Sequence, residues 1–584
     1  MSKKEILILL IASFVFAWLW FRPAFWSLAE GSPSFGAGVQ SIFFQQSERE
    51  MFLGETLDLQ GTIWIFHHFD QIIKGNEQSF LPEIYAPIGF DLGKNTGFGW
   101  GDALLSWPLI QLLPTPAFYN LHVFLTITLS YFGTALLFRY AKAPLPIAMA
   151  LAFATCSNTF FRQELMQGRP TQIHWFFHAL FLISILALLR NRIRFTWALF
   201  GGLVGAWACF VYWFGGVAVG FCGALVLLTA ILFRRRRLRR LQSALLLGGT
   251  TLFIALILTW RIASQIMSGD GGVLYEAMGA EPAMVLDLWL VQIPIQNFIY
   301  LQDWGDFRSI MARSMFPYEI LQLVQLAILI PFGWKARWPW LIVGILSMGF
   351  LLGPALQWDG GWVLTGYALL QTVFPPLVRC GFNHRMVVAP LLIFGVFLAI
   401  TFYHLHKRIP YPHVRKAFSL LVAIIIAAPV YKELPNYLNI KTSHMAIDQQ
   451  LIRATKKWPG GIIHIPIAGG SGNEHIQQMF HKQPILNGPG ADTVQPKEHK
   501  EYCEQNTILS ALEYMAQYEV ESIPLYDAND LEELWDDGFR LVYIDTRRAK
   551  SSKQIYETFL QADGSQWYSG GQLAIPLPKP KKDQ

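Results

Sequence analysis

The segment GETLDLQGTIWIFHHFDQ, residues 54–71, gathers Glu55, Asp58, Asp70 and the adjacent His67 and His68 just after the first apolar stretch of the chain. A carboxylate beside a membrane surface can take a proton from a hydroxyl nucleophile. The same residues also suit a helix start, with Thr56 as N-cap and Asp58 in a first turn where negative charge favours the helix dipole. The sequence leaves both roles open. Neighbouring side chains on a helix point about 100° apart, so His67 and His68 read as interface-facing groups rather than joint ligands of one metal ion. Asp91 and Asp102 follow around the Gly-rich turn IGFDLGKNTGFGWGD.

Two further clusters stand out. RQELMQGRPTQIHWFFH, residues 162–178, sets Arg162, Glu164, Arg169, His174 and His178 on the tip between two short apolar segments. So many polar groups at a hairpin tip suit a cavity lining, although Arg162 and Glu164 suit open solvent equally well. PPLVRCGFNHRMVV, residues 375–388, places Arg379, His384 and Arg385 just before a late apolar segment. Guanidinium forks match phosphate oxygens, so a lipid phosphate or pyrophosphate fits there. Pairing with Asp359, or contact with phospholipid headgroups, is the alternative.

The elements that must position these groups are membrane helices. Of 584 residues, 53% are hydrophobic and 15% charged, against roughly a quarter charged in a soluble protein, and mean hydropathy is +0.34. MSKK followed by EILILLIASFVFAWLWF reads as a retained anchor with a cytoplasmic N-terminus. Further apolar segments near 116–138, 144–160, 173–190, 194–211, 213–233, 242–262, 318–334, 338–353, 386–405 and 416–431 bring the expected spans to about eleven. RYAKAP, RNRIRF, RRRRLRR, KARWP and HKRIPYPHVRK then fall on the cytoplasmic side, as the positive-inside rule asks. On that reading Arg234–Arg240 locks topology at lipid headgroups, and nucleic acid is not an expected partner. The outside segments are 23–115, 263–317, 354–385 and the tail from about 432. The tail alternates strand-like (GIIHIPIA, RLVYIDT, QLAIPLP) and helix-like runs, which predicts a small α/β module. The five cysteines follow no metal-ligand spacing, and no disulfide framework is expected. There is no P-loop or strand-anchored GxGxxG; GLVGAWACF and VYWFGGVAVG read as helix-packing stretches.

Four stretches, GETLDLQGTIW, LPEIYAPIGFDL with SWPL, QGRPTQIHWFFHALFL and RCGFNHRMVV, together resemble the GT-C superfamily of integral-membrane glycosyltransferases, in particular bacterial family-39-like enzymes with a soluble tail. The resemblance implies a multispan helical membrane domain over 1–431, with a large periplasmic loop at 23–115, and a C-terminal periplasmic α/β domain over 432–584 in a bacterial inner membrane. It implies sugar transfer from a polyprenyl-phosphate donor to a glycan, lipid or protein acceptor at the periplasmic face, with inversion. Asp58 matches the base of the first loop, with Glu55 next. Asp102, Arg162, Arg169, His174, Arg379, His384 and Arg385 are the expected substrate-binding set. Two adjacent acids, common in that superfamily's first loop, are absent: Thr56 and Leu57 separate Glu55 from Asp58. No cofactor or metal-ligand set is expected, with room left for a divalent cation. The alternative reading is a non-catalytic membrane scaffold or lipid-glycan transporter, but transport asks for ionisable residues deep within spans, whereas here they gather at the outside ends.

Overall fold

In the computed structural model the chain divides into two compact units, Met1–Glu55 with Phe98–Ala263 and Ala280–Ser443, and Thr56–Gly97 with Ser264–Gly279 and His444–Gln584. The structure describes residues 1–27, 51–54, 57–92, 100–190, 195–232, 245–254, 318–331, 333–352, 383–437, 442–444, 448–467, 474–488, 496–519, 528–559 and 571–577, several short strands and a few isolated positions. The sequence boundary at 431/432 differs from this division chiefly in residues 56–97, which group with the tail.

Apolar length sets the first unit. Six described helices are long and apolar enough to cross a membrane: Lys3–Phe21, Ala117–Tyr140, Pro170–Leu189, Trp213–Leu232, Val388–Arg408 and Pro412–Pro429. Among the described residues, the other five expected segments hold helices of 10 to 17 residues. Local chemistry accounts for one of these short lengths. Leu145–Cys156 stops where Asn158 caps the next helix, its side chain accepting from Phe161 N–H; twelve residues rise only about 18 Å. Close packing rests on small residues, since a side chain at Gly133 would meet Phe176, and one at Gly395 would meet Phe138. Arg337, wholly buried, donates to the Ala327 carbonyl and the Thr401 hydroxyl, tying the end of helix Tyr318–Ile328 to helix Val388–Arg408.

The second unit is built on a four-stranded sheet. Its strands β1 (Gly461–Ile465), β2 (Phe539–Asp545), β3 (Gln566–Tyr568) and β4 (Gln572–Pro576) lie in the order β1-β2-β4-β3. β1 and β2 are parallel; β4 runs antiparallel to both β2 and β3. Every residue of β1 is buried, as a continuous Ile-rich run should be when both faces are covered. Ile463, Ile465, Val542, Ile544 and Ile575 pack against Leu509, Leu512 and Met515 of helix Thr507–Gln517. The first-loop segment joins this sheet through single bridges, Ile84 to Ile485 and Ile485 to Ile462. Ile485 N–H donates to the Glu83 carbonyl at 2.8 Å, and Ala86 N–H to the Ile485 carbonyl at 3.0 Å.

Candidate functional site

In the second unit the helix Leu57–Ile73 carries Asp58 in its first turn and the histidine pair toward its end. Glu55 lies outside the described residues, and for Asp58 the structure gives only the backbone placement. The His67 and His68 rings stand 5.4 Å apart and nearly perpendicular, so they diverge as the helical repeat requires. His68 Nδ1 lies 2.6 Å from Glu77 Oε2, and Trp64 packs edge-on against the same ring at 4.5 Å. Burial, and next the neighbouring His68 and Lys482, pushes His67 down to about 4.

In the first unit the structure gathers Asp102 and His174 around a residue that the sequence reading passed over, His122. Asp102, wholly buried in the first turn of helix Trp100–Leu112, has Oδ1 2.9 Å from His122 Nε2, itself 5% exposed. A Cβ on Gly101 would stand 2.7 Å from the Phe210 carbonyl carbon; glycine therefore lets this turn press against the break between helices Phe195–Val211 and Trp213–Leu232. The His174 ring lies 6.5 Å from that of His122. Its turn, Pro170–Ile173, is pinned from several directions. The Ser130 hydroxyl donates to the Ile173 carbonyl at 2.6 Å and accepts from Trp175 N–H at 3.0 Å. The Tyr212 hydroxyl donates to Gln172 Oε1 at 3.2 Å. His122 had one sequence signal: a histidine among the apolar residues of a span, three positions after Tyr119 and so on the same helical face.

Of the remaining expected residues, Glu164 is wholly buried 3.5 Å from Arg169, and Arg162 is half-buried. His178 is buried. Arg379 lies outside the described residues; His384 and Arg385 fall in the single turn Asn383–Met386, Arg385 half-buried. Among the described residues no group of three or more His, Cys, Asp or Glu is arranged to hold a metal ion. A carboxylate oxygen 2.9 Å from an imidazole nitrogen in a buried setting suits Asp102 and His122 to orienting a polar group.

A mostly helical body with several membrane-length helices, joined to a unit built on a mixed sheet, defines an integral-membrane architecture. The solved structures that it resembles include an arabinofuranosyltransferase and an oligosaccharyltransferase. The arabinofuranosyltransferase AftD from Mycobacteria matches with a TM-score of 0.54 at 12% identity, covering 99% of this chain and 40% of AftD. The archaeal oligosaccharyltransferase AglB from Archaeoglobus fulgidus, solved with an inhibitory peptide and a dolichol-phosphate, matches at 0.49 and 11% identity over 98% of this chain and 74% of AglB. This chain thus spans about two-fifths of the AftD length, and at such identity the likeness to AftD speaks for the fold alone. No family model matches the sequence, and no curated protein does.

Proposed function

We propose that this protein is a membrane glycosyltransferase that moves a sugar from a polyprenyl-phosphate donor to an acceptor hydroxyl at the periplasmic face. The observation that carries the reading is the fold likeness to an arabinofuranosyltransferase over 99% of the chain. In the proposed step a first-loop carboxylate, Asp58 with Glu55 as its alternative, takes the acceptor's O–H proton. The acceptor oxygen bonds to the anomeric carbon from the face opposite the phosphate, the sugar–phosphate bond breaks, and the phosphate oxygen keeps the electron pair, so the configuration inverts. Arg379, His384 and Arg385 are assigned to the departing phosphate, whose charge forked donors stabilise. Asp102, Arg162, Arg169 and His174 are assigned to the substrate hydroxyls. The donor already carries its leaving group at headgroup level, so no nucleotide site is needed.

The test is transfer from radiolabelled polyprenyl-phosphate sugars in proteoliposomes, comparing wild type, Asp58→Asn and Glu55→Gln at matched incorporation. General-base removal is expected to lower transfer by about 10²–10⁴-fold in Asp58→Asn, with the thermal midpoint unchanged. Wild type inert toward every donor sends the reading to the scaffold alternative, and full activity in Asp58→Asn moves the base to Glu55.

A further inference from the structure

The second unit buries an unusual set of imidazoles. His464 on β1 and His481 at the end of helix Glu474–His481 are both buried, and the Nε2 atoms of His464, His481 and His67 have no partner among the described residues. Gln483 N–H donates to His481 Nδ1 at 3.0 Å. That bond leaves the neutral ring's only proton on Nε2, where it meets no acceptor. Helix Glu474–His481 touches helices Leu57–Ile73 and Gln449–Lys457, so His481 and His67 lie where the first-loop helix is held, with His464 near His481.

We propose that this packing is an acid-sensitive clamp: protonation of His464, His481 and His67 releases helix Leu57–Ile73 from the second unit. Burial favours the neutral form of each ring, and the carboxylates that face them favour the charged form less strongly. His464 meets His481, the Tyr543 ring at 5.8 Å and Asp448. Asp448 is already engaged, Oδ1 accepting from the amides of Gln450 and Leu451 and Oδ2 from the Tyr543 hydroxyl. Glu474 sits at the far end of the helix of His481, and Glu513, on the helix packed over β1, accepts from Ile467 N–H at 2.6 Å. His67 faces His68 and Lys482, against which stand Asp70, bound to Lys74 at 2.7 Å, and Glu77, bound to His68. Burial pushes His464 and His67 down to about 4 and His481 to about 3.

A folded-state value below the unfolded one, near 6.5, means that the released state binds more protons. The clamp is therefore intact above about pH 6.5 and weakens as pH falls toward 4. For one such histidine the opening equilibrium rises roughly 25-fold between pH 7.5 and 5. Under the function proposed above, the released helix is the one that carries Asp58.

The test is hydrogen exchange of the full-length protein in nanodiscs at pH 7.5 and 5, corrected for intrinsic exchange chemistry. Amides of residues 57–73 and 474–481 are expected to lose at least tenfold in protection at pH 5, and the His67→Asn/His464→Phe/His481→Phe triple variant to lose much less. Unchanged wild-type protection overturns the proposal, as does an equal loss in the triple variant. Should that variant fail to fold, His67→Asn, which keeps the other two rings, is expected to lose roughly 25-fold less protection than wild type, and a loss equal to wild type overturns the proposal. Exchange needs no sugar transfer, so an inert enzyme and a failed clamp give different results.

Discussion

His122 and Asp102 show what one contact does in an apolar surround. Burying a polar group costs free energy unless another polar group stands beside it, and 2.9 Å of separation gives each of these one. Removing one partner strands the other. His122→Leu is expected to lower stability by about 3–5 kcal/mol, read as a fall in the thermal midpoint of detergent-solubilised protein. His122→Gln, which keeps a donor at similar reach, should recover much of that loss. Equal midpoints for wild type and His122→Leu would mean that the pair holds nothing in place. Asp58 differs in kind, because its role turns on what arrives beside it, and only the transfer assay addresses that.

At the scale of elements, the cluster depends on how closely backbones approach and on how one turn is pinned. Helix Trp100–Leu112 meets the Phe210 backbone through Gly101; Gly101→Ala is expected to cost about 1–3 kcal/mol through forced separation and to weaken the grip on Asp102. Ser130 serves the Ile173 carbonyl and the Trp175 amide at once. Ser130→Ala leaves the Ile173 carbonyl and the Trp175 amide with only their mutual bond at 2.8 Å, at about 0.5–1.5 kcal/mol for each bond lost, and should raise hydrogen exchange across residues 170–178 before it unfolds the unit. No change in exchange there would show that the turn holds without Ser130. These requirements were faintly written in the sequence. Gly101 lies in a Gly-rich stretch that reads as a turn, and Ser130 is one hydroxyl in an apolar helix.

At the scale of the molecule, the second unit is assembled from distant pieces of chain, so its tail should depend on the first loop. Residues 444–584 alone leave Ile485 without its bridge to Ile84, its N–H without the Glu83 carbonyl and its carbonyl without the Ala86 N–H. Produced alone they are expected to melt earlier than the same fragment co-expressed with residues 56–92; equal melting would show the loop segment to be dispensable there. The sequence by itself determined the membrane character, because a bilayer selects for long apolar runs that composition displays directly, and it marked Asp102 and His174 as residues of interest through their types and surroundings. Tertiary structure alone decided that His122 contacts Asp102 with the His174 ring nearby and that residues 56–97 group with the tail. The physical reason is range: hydropathy and helical period report on neighbours within a few turns, whereas a buried ion pair or a bridge such as Ile84 to Ile485 depends on chain folding back over tens to hundreds of residues, which local pattern does not encode.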